Sequence, residues 1–271
     1  MKNNLLIAAA VAGLAVIGVV LTVKCITPKT MKTANTTDSA QYNWYFKQTA
    51  PGEQPTVCDN VDFLDDYDLI YMGNKDEKKI YLTFDMGYEN GYTPAILDAL
   101  KKHGAKAAFF VTGHYLDTNP EIIKRMAREG HLVCNHTDKH ADLTAISDPA
   151  EFSAQIEGLS QRYKELTGEA MPKYLRPPEG KYSKRELEMS EALGYKNVFW
   201  SFAYKDWLND AQPSCEQAKE RILSCTHNGM VALLHATSKT NSEIMDDLLS
   251  EWEKEGYSVL PISELEASPN R

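Results

Sequence analysis

The sequence predicts an α/β fold of about seven parallel strands arranged as a barrel, and three observations predict it. From Lys79 onward, short apolar runs alternate with amphipathic stretches bounded by Pro and Gly. Strict alternation of strand and helix means parallel strands joined by crossover helices. No Gly-rich dinucleotide-binding turn follows the first strand, and polar residues gather just after the strands, where a parallel barrel opens its mouth.

Each element has its own signal. Ile80 to Phe84 reads as the first strand, followed by a helix opened by Thr93-Pro94 and stopped by Gly104. Ala107 to Val111 is the second strand; Asn119-Pro120-Glu121 starts the next helix and Gly130 ends it. His131 to Asn135 is the third strand, and Asp148-Pro149 opens a long helix that closes at Gly168. Tyr174 to Arg176 is a short fourth strand before a helix over Ser183 to Leu193, and Asn197 to Phe202 is the fifth. Ser214 with Gln217 forms a capping box for a helix to about Cys225. Met230 to His235 is the sixth strand, Ser242 to Glu255 the last helix and Tyr257 to Leu260 the seventh strand.

The chain is 271 residues long, with 43 % hydrophobic and 25 % charged residues, which excludes a disordered or fibrous protein. Its 29 basic and 38 acidic residues give a net charge of −9, with no Lys/Arg run, so a nucleic-acid partner is not expected. A mean hydropathy of −0.42 excludes a polytopic membrane protein. Leu5 to Val23 is nonetheless an unbroken apolar run of about 19 residues, long enough to span the hydrocarbon core. No clear small-residue cleavage site follows it, which favours a signal anchor over a cleaved signal peptide. Lys24 before Cys25 argues against lipidation, and Lys32 to Gln48, rich in Thr, Asn, Ser and Gln, reads as a tether. The expected organisation is a signal anchor or signal peptide over 1–25, a linker and N-terminal extension over 26–78, a catalytic domain over 79–265 and a tail over 266–271. An extracytoplasmic protein, held at the membrane through residues 5–23 or secreted, and monomeric, is expected. Outside the membrane Cys215 and Cys225 are candidates for a disulfide, whereas Cys134 reads as a buried free thiol.

Six ionisable groups follow five of the strands: Asp85, the pair His136 and His140, Arg176, Asp206 and His235. Each has an ordinary structural explanation by itself; their joint placement at one mouth does not. His136 and His140 are spaced i, i+4, which sets both imidazoles on one side if the intervening residues make a helical turn. Two imidazoles can hold Zn²⁺ or a similar ion, which lowers the pKa of bound water and polarises a carbonyl. Asp85 can take a proton from that water, and His235, kept protonated by Asp206, can protonate a leaving group. Arg176, on the rigid turn Arg176-Pro177-Pro178-Glu179-Gly180, can hold Asp85 ionised. This set suits hydrolysis of an amide or ester.

Thr83-Phe84-Asp85, His136-x-x-x-His140, Arg176-Pro177-Pro178-Glu179-Gly180, Asp206-Trp207 and Leu233-Leu234-His235 resemble, in order and spacing, the five motifs of the polysaccharide deacetylases, carbohydrate esterase family four with its NodB homology domain. The resemblance runs from about Lys79 to Leu265. Gly87-Tyr88-Glu89-Asn90-Gly91-Tyr92-Thr93 is most similar to the branch that deacetylates N-acetylmuramic acid in peptidoglycan, whose product amine can close to a δ-lactam. The resemblance implies a distorted (β/α) barrel and metal-dependent removal of acetate from N-acetyl sugars. It implies Asp85 as base, His235 as acid, Asp206 and Arg176 as their partners, and His136 and His140 as metal ligands. It also implies Leu233 at an acetyl-methyl pocket and Trp207, Pro178 and Glu179 against the sugar.

Two positions depart from that pattern. Most members carry a second, metal-binding Asp directly after the first; here the residue is Met86, a poor ligand for zinc, so weak metal binding is expected. Glu179 stands where many members have an aromatic residue. Lys139, Lys181 and Lys205 are candidate partners for a muramic carboxylate. The competing expectations are an N-acetylglucosamine deacetylase acting on peptidoglycan or chitin-like oligomers, and a non-catalytic glycan-binding module, which Met86 alone favours.

Overall fold

The computed structural model describes residues 39–265. The expected membrane segment 5–23, Cys25 and the tail 266–271 lie outside them. No helix among the described residues is long and apolar enough to cross a membrane.

The sequence pattern becomes a single parallel sheet of eight strands. Its longest member, β4 (Lys79–Met86), lies between β5 (Ala108–Val111) and β11 (Met230–His235). Beyond β5 follow β6 (Leu132–Asn135), β7 (Tyr174–Leu175) and β9 (Lys196–Asn197); beyond β11 lies β10 (Phe202–Ala203). The seventh expected strand is β12 (Ser258–Val259), and it pairs with the first residues of β4 instead of extending the path. The fifth expected strand, Asn197 to Phe202, is divided: its ends are β9 and β10, at opposite edges of the sheet. The barrel is therefore open, and the segment around residues 70–73 bridges the seam. The Phe199 N–H donates to the Ile70 carbonyl on one side, and the Gly73 N–H to the Gly229 carbonyl on the other.

Period-two alternation sorts the strand side chains into two layers. Ile80, Leu82, Phe84 and Met86 pack outward beneath the helices, with Phe109, Met230, Ala232 and Leu234. Tyr81, Phe110, Cys134 and Val231 pack in the barrel interior. The helices start where the caps predict. Asp148 and Ser183 accept backbone N–H groups at the starts of α4 (Pro149–Thr167) and α5 (Lys184–Ala192). Ser214 and Gln217 form the capping box of α6 (Cys215–Ser224). The last helix, α7 (Lys239–Lys254), begins three residues before the expected Ser242, because Ser238 caps it. A short helix, α2 (Gly113–Thr118), was not expected; it lies before α3 (Pro120–Arg128), while α1 (Thr93–Lys102) follows β4.

The expected tether does not extend over all of residues 32–48. β1 (Tyr42–Asn43) pairs antiparallel with β8 (Lys181–Tyr182). The buried Trp44 stacks on Phe199 with ring centroids 4.2 Å apart and donates its indole N–H to the Trp200 carbonyl. This aromatic burial anchors the N-terminal extension behind the loops that form the cleft. The candidate Cys215–Cys225 bridge is absent, and both thiols are free. The two residues bracket the length of α6, about 15 Å of rise, far beyond disulfide reach. Cys134 is a buried free thiol, as expected.

Candidate active site

Strand parity delivers the central pair. Asp85 and His235 are paired in register on adjacent parallel strands, both in the inward phase, near the carboxyl ends. They open on a cleft of about 810 Å³, also lined by His136, His140, Glu179, Trp200, Lys205, Trp207 and Leu233.

Arg176 sets the state of Asp85. It is fully buried beyond the end of β7; its Nη1 donates to Asp85 Oδ1 at 2.7 Å and its Nη2 to Thr83 Oγ1 at 2.9 Å. Its Nε donates to the Val198 carbonyl, and the guanidinium lies 4.1 Å over the Phe110 ring. Burial works to raise the Asp85 carboxyl, but Arg176, with His136 and His235, outweighs it and holds Asp85 below its ordinary range.

Asp206 does the converse for His235. The His235 Nδ1–H donates to Asp206 Oδ1 at 2.7 Å, and its backbone N–H to Oδ2 at 2.8 Å. Burial works to lower the imidazole, but the Asp206 hydrogen bond and charge, with Asp85, raise it overall. With Nδ1 fixed on Asp206, Nε2 is the nitrogen left for chemistry. Asn241 of α7 donates to Asp206 Oδ2 at 2.6 Å and to the His235 carbonyl at 3.1 Å, and accepts from the Tyr204 hydroxyl. Asn241 and Tyr204 were not expected. No local pattern marks them, because Asn241 meets Asp206 across 35 residues of chain.

His136 and His140 do come together, with ring centroids 4.9 Å apart at 75°. The helical turn on which the spacing argument is conditional is absent. The segment is a loop in which Thr137 (φ 67°) and His140 (φ 53°) take the left-handed conformation, a strained state for non-glycine residues that needs outside support. Gly113 N–H donates to the Thr137 and Asp138 carbonyls, the Gln155 carbonyl accepts from Asp138 N–H, and Arg162 pairs with Asp138. His136 Nδ1–H donates to the Arg176 carbonyl at 2.8 Å, leaving Nε2 3.6 Å from Asp85 Oδ2. Burial pushes the His136 imidazole down to about 4, so near neutral pH it offers a lone pair. Two imidazoles fit a divalent ion of borderline softness with water completing its shell. Among the described residues no group of three or more His, Cys, Asp or Glu is placed to hold a metal. Met86 contributes nothing here: it is fully buried in the layer beneath the helices.

The remaining expected contacts divide. Leu233 and Glu179 line the cleft, Glu179 from a left-handed position (φ 58°). Trp207 lines it too, exposed, with its ring 5.3 Å from that of His235. Pro178 is buried and is not among the lining residues. Tyr88, named in the sequence only as part of the Gly87–Thr93 stretch, is an exposed residue that lines the cleft.

Comparison with known proteins agrees with this geometry. A polysaccharide deacetylase family model matches residues 72–198, which include Asp85, His136, His140 and Arg176. A peptidoglycan-N-acetylmuramic acid deacetylase of Bacillus subtilis, PdaA, is 40 % identical over 224 residues, covering 82 % of this chain and 85 % of its own. An uncharacterized 30.6 kDa protein of Geobacillus stearothermophilus is 44 % identical over 224 residues, covering 82 % and 84 %. The solved structure of Bacillus subtilis PdaA, a family 4 carbohydrate esterase, superposes with a TM-score of 0.81 at 39 % identity, covering 84 % of this chain and 97 % of that one. The order of these motifs along the chain, the open parallel barrel that gathers them and the length of the shared alignment lead to one conclusion: this chain belongs to the polysaccharide deacetylase family, the family 4 carbohydrate esterases.

Proposed function

We propose that the protein hydrolyses the acetamido group of N-acetylmuramic acid residues in peptidoglycan, releasing acetate. The observation that carries this reading is the pair of oppositely tuned groups on neighbouring strands: the Asp85 carboxyl is held below its ordinary range by Arg176, and the His235 imidazole is raised above its ordinary value by Asp206. A carboxylate favoured in its ionised form beside an imidazole favoured in its protonated form is what amide hydrolysis asks of two groups flanking one carbonyl. The muramic assignment draws on the 40 % identity to PdaA and on the Gly87–Thr93 segment.

In this reading water attacks the acetyl carbonyl carbon while Asp85 takes its proton. The C–N bond then breaks, and His235 Nε2 gives its proton to the departing amine, leaving acetate and a free amino sugar. A divalent ion, zinc in our assignment, held weakly by His136 and His140, supplies charge stabilisation and acidifies water when bound. Leu233 flanks the acetyl methyl group, and Trp207 and Glu179 face the sugar. In this reading the protein acts outside the cytoplasm on glycan strands, either held at the membrane through residues 5–23 or secreted.

The test is incubation of the full chain with purified peptidoglycan, followed by mass spectrometry of the digested glycan. The muramic residue is expected to lose its acetyl group, and Asp85→Asn or His235→Ala to abolish that loss. Acetyl loss confined to glucosamine residues would move the substrate to N-acetylglucosamine; variants as active as the parent would sink the role assignments.

A further inference from the structure

The cleft leaves one strong charge unspent. Asp85 is bound by Arg176, His235 by Asp206, and Glu179 pairs with Lys181 at 2.9 Å. Lys205 lines the same cleft, is exposed to solvent, and has no ion-pair partner among the described residues. Lys181 is engaged by Asp142 as well as Glu179, and Lys139 is not among the lining residues. Of the three lysines near the site, only Lys205 is both free and facing the cleft.

Its placement follows from the loop after β10. Asp206 is fully buried against His235, whereas its neighbours Lys205 and Trp207 both line the cleft. A cation and an aromatic face therefore flank the residue that anchors the catalytic acid. In muramic acid the lactyl ether at C3 is vicinal to the acetamido group at C2, so its carboxylate lies beside the amide to be cut. N-acetylglucosamine has a hydroxyl there instead.

We infer that Lys205 is a specificity-determining residue that pairs with the lactyl carboxylate of the muramic substrate and so favours muramic over glucosamine residues. This rests on the muramic reading given above. The attraction is that of an exposed ion pair: it discriminates by a small factor and is screened by salt.

Acetate release by the full chain is to be compared on oligomers of N-acetylmuramic acid with a free lactyl carboxylate and on N-acetylglucosamine oligomers. The ratio of kcat/KM, muramic over glucosamine, is expected to fall about three- to fivefold in Lys205→Gln and further in Lys205→Glu, chiefly through KM. Lys205→Arg is expected to keep the ratio, and rising salt to reduce it in the parent but not in Lys205→Gln. An unchanged ratio in both Lys205→Gln and Lys205→Glu overturns the inference while leaving the proposed function intact. Equal losses on both substrates overturn it too, since they assign Lys205 a general role. A parent protein inactive on the muramic oligomer overturns the underlying reading itself, a result distinct from either.

Discussion

His235 sits directly across from Asp85 in the β11–β4 ladder, so acid and base are neighbours across one strand pair. Adjacent parallel strands lie about 4.8 Å apart, which places both groups around one small acyl function without any loop rearrangement. Their partners approach from opposite sides, Arg176 from beyond β7 and Asp206 from the loop after β10. Each charge state therefore has its own main partner, and the two groups also reinforce each other, Asp85 raising His235 and His235 lowering Asp85.

Asp206→Asn removes the hydrogen bond and charge that raise the His235 pKa, while the burial that lowers it remains. The acid must be protonated to act, so activity is lost as pH rises through its pKa. The alkaline limb of the pH–kcat profile is expected to move down by about one unit or more in Asp206→Asn. A limb that stays in place would show that His235 is not the group titrating there.

Arg176→Met leaves Asp85 buried without its cation. Breaking a buried pair from one side costs about 3–5 kcal/mol, and the orphaned carboxyl then shifts upward. Urea denaturation is expected to show that loss, with the remaining activity displaced to higher pH because the base must be ionised.

Glu186 lies outside the site and is fully buried; Oε1 accepts from Ser190, and Oε2 has no hydrogen-bond partner among the described residues. Burial raises its carboxyl from 4.5 to about 8. The folded protein therefore keeps a proton that the unfolded chain has lost, and stability falls as pH rises from about 4.5 to about 8. Glu186→Gln is expected to match the parent at pH 4 and to be more stable by about 4–5 kcal/mol at pH 8.5. Thermal melts at the two pH values check the sign.

Met86→Asp would place directly after Asp85 the carboxylate that the resemblance in sequence implies there. Because Met86 is fully buried beneath the helices, the change places a carboxylate in an apolar layer. A loss of several kcal/mol of stability is expected rather than tighter metal binding; calorimetry of zinc binding beside a melt separates the outcomes. Tighter binding without destabilisation would show that the strand end can turn its side chain toward the cleft.

Much of this was legible in the residues because the signals are local. Pro and Gly boundaries, Ser and Asp caps and strand alternation predicted the helices of the barrel and most of its strands, and the polar strand ends predicted the mouth. Where a local rule met a tertiary constraint, it failed. The i, i+4 spacing of His136 and His140 suggested a helical turn, yet Gly113, Gln155 and Arg162 hold that segment as a loop with two left-handed residues. The polar composition of residues 32–48 suggested a tether, yet Trp44 is buried because Phe199, distant in sequence, supplies its stacking partner.

The sequence by itself determined which residue types are available for chemistry and that Asp85 and His235 stand at the carboxyl ends of strands; the register and layers of the sheet decided that both face inward while Met86 faces out. Only the tertiary structure decided the protonation states and the identity of the free charge. These depend on contacts between groups as far apart in the chain as Arg176 and Asp85, 91 residues, or Asn241 and Asp206, 35 residues. Electrostatic interaction and burial depend on distance through space, and a linear pattern carries no record of that distance.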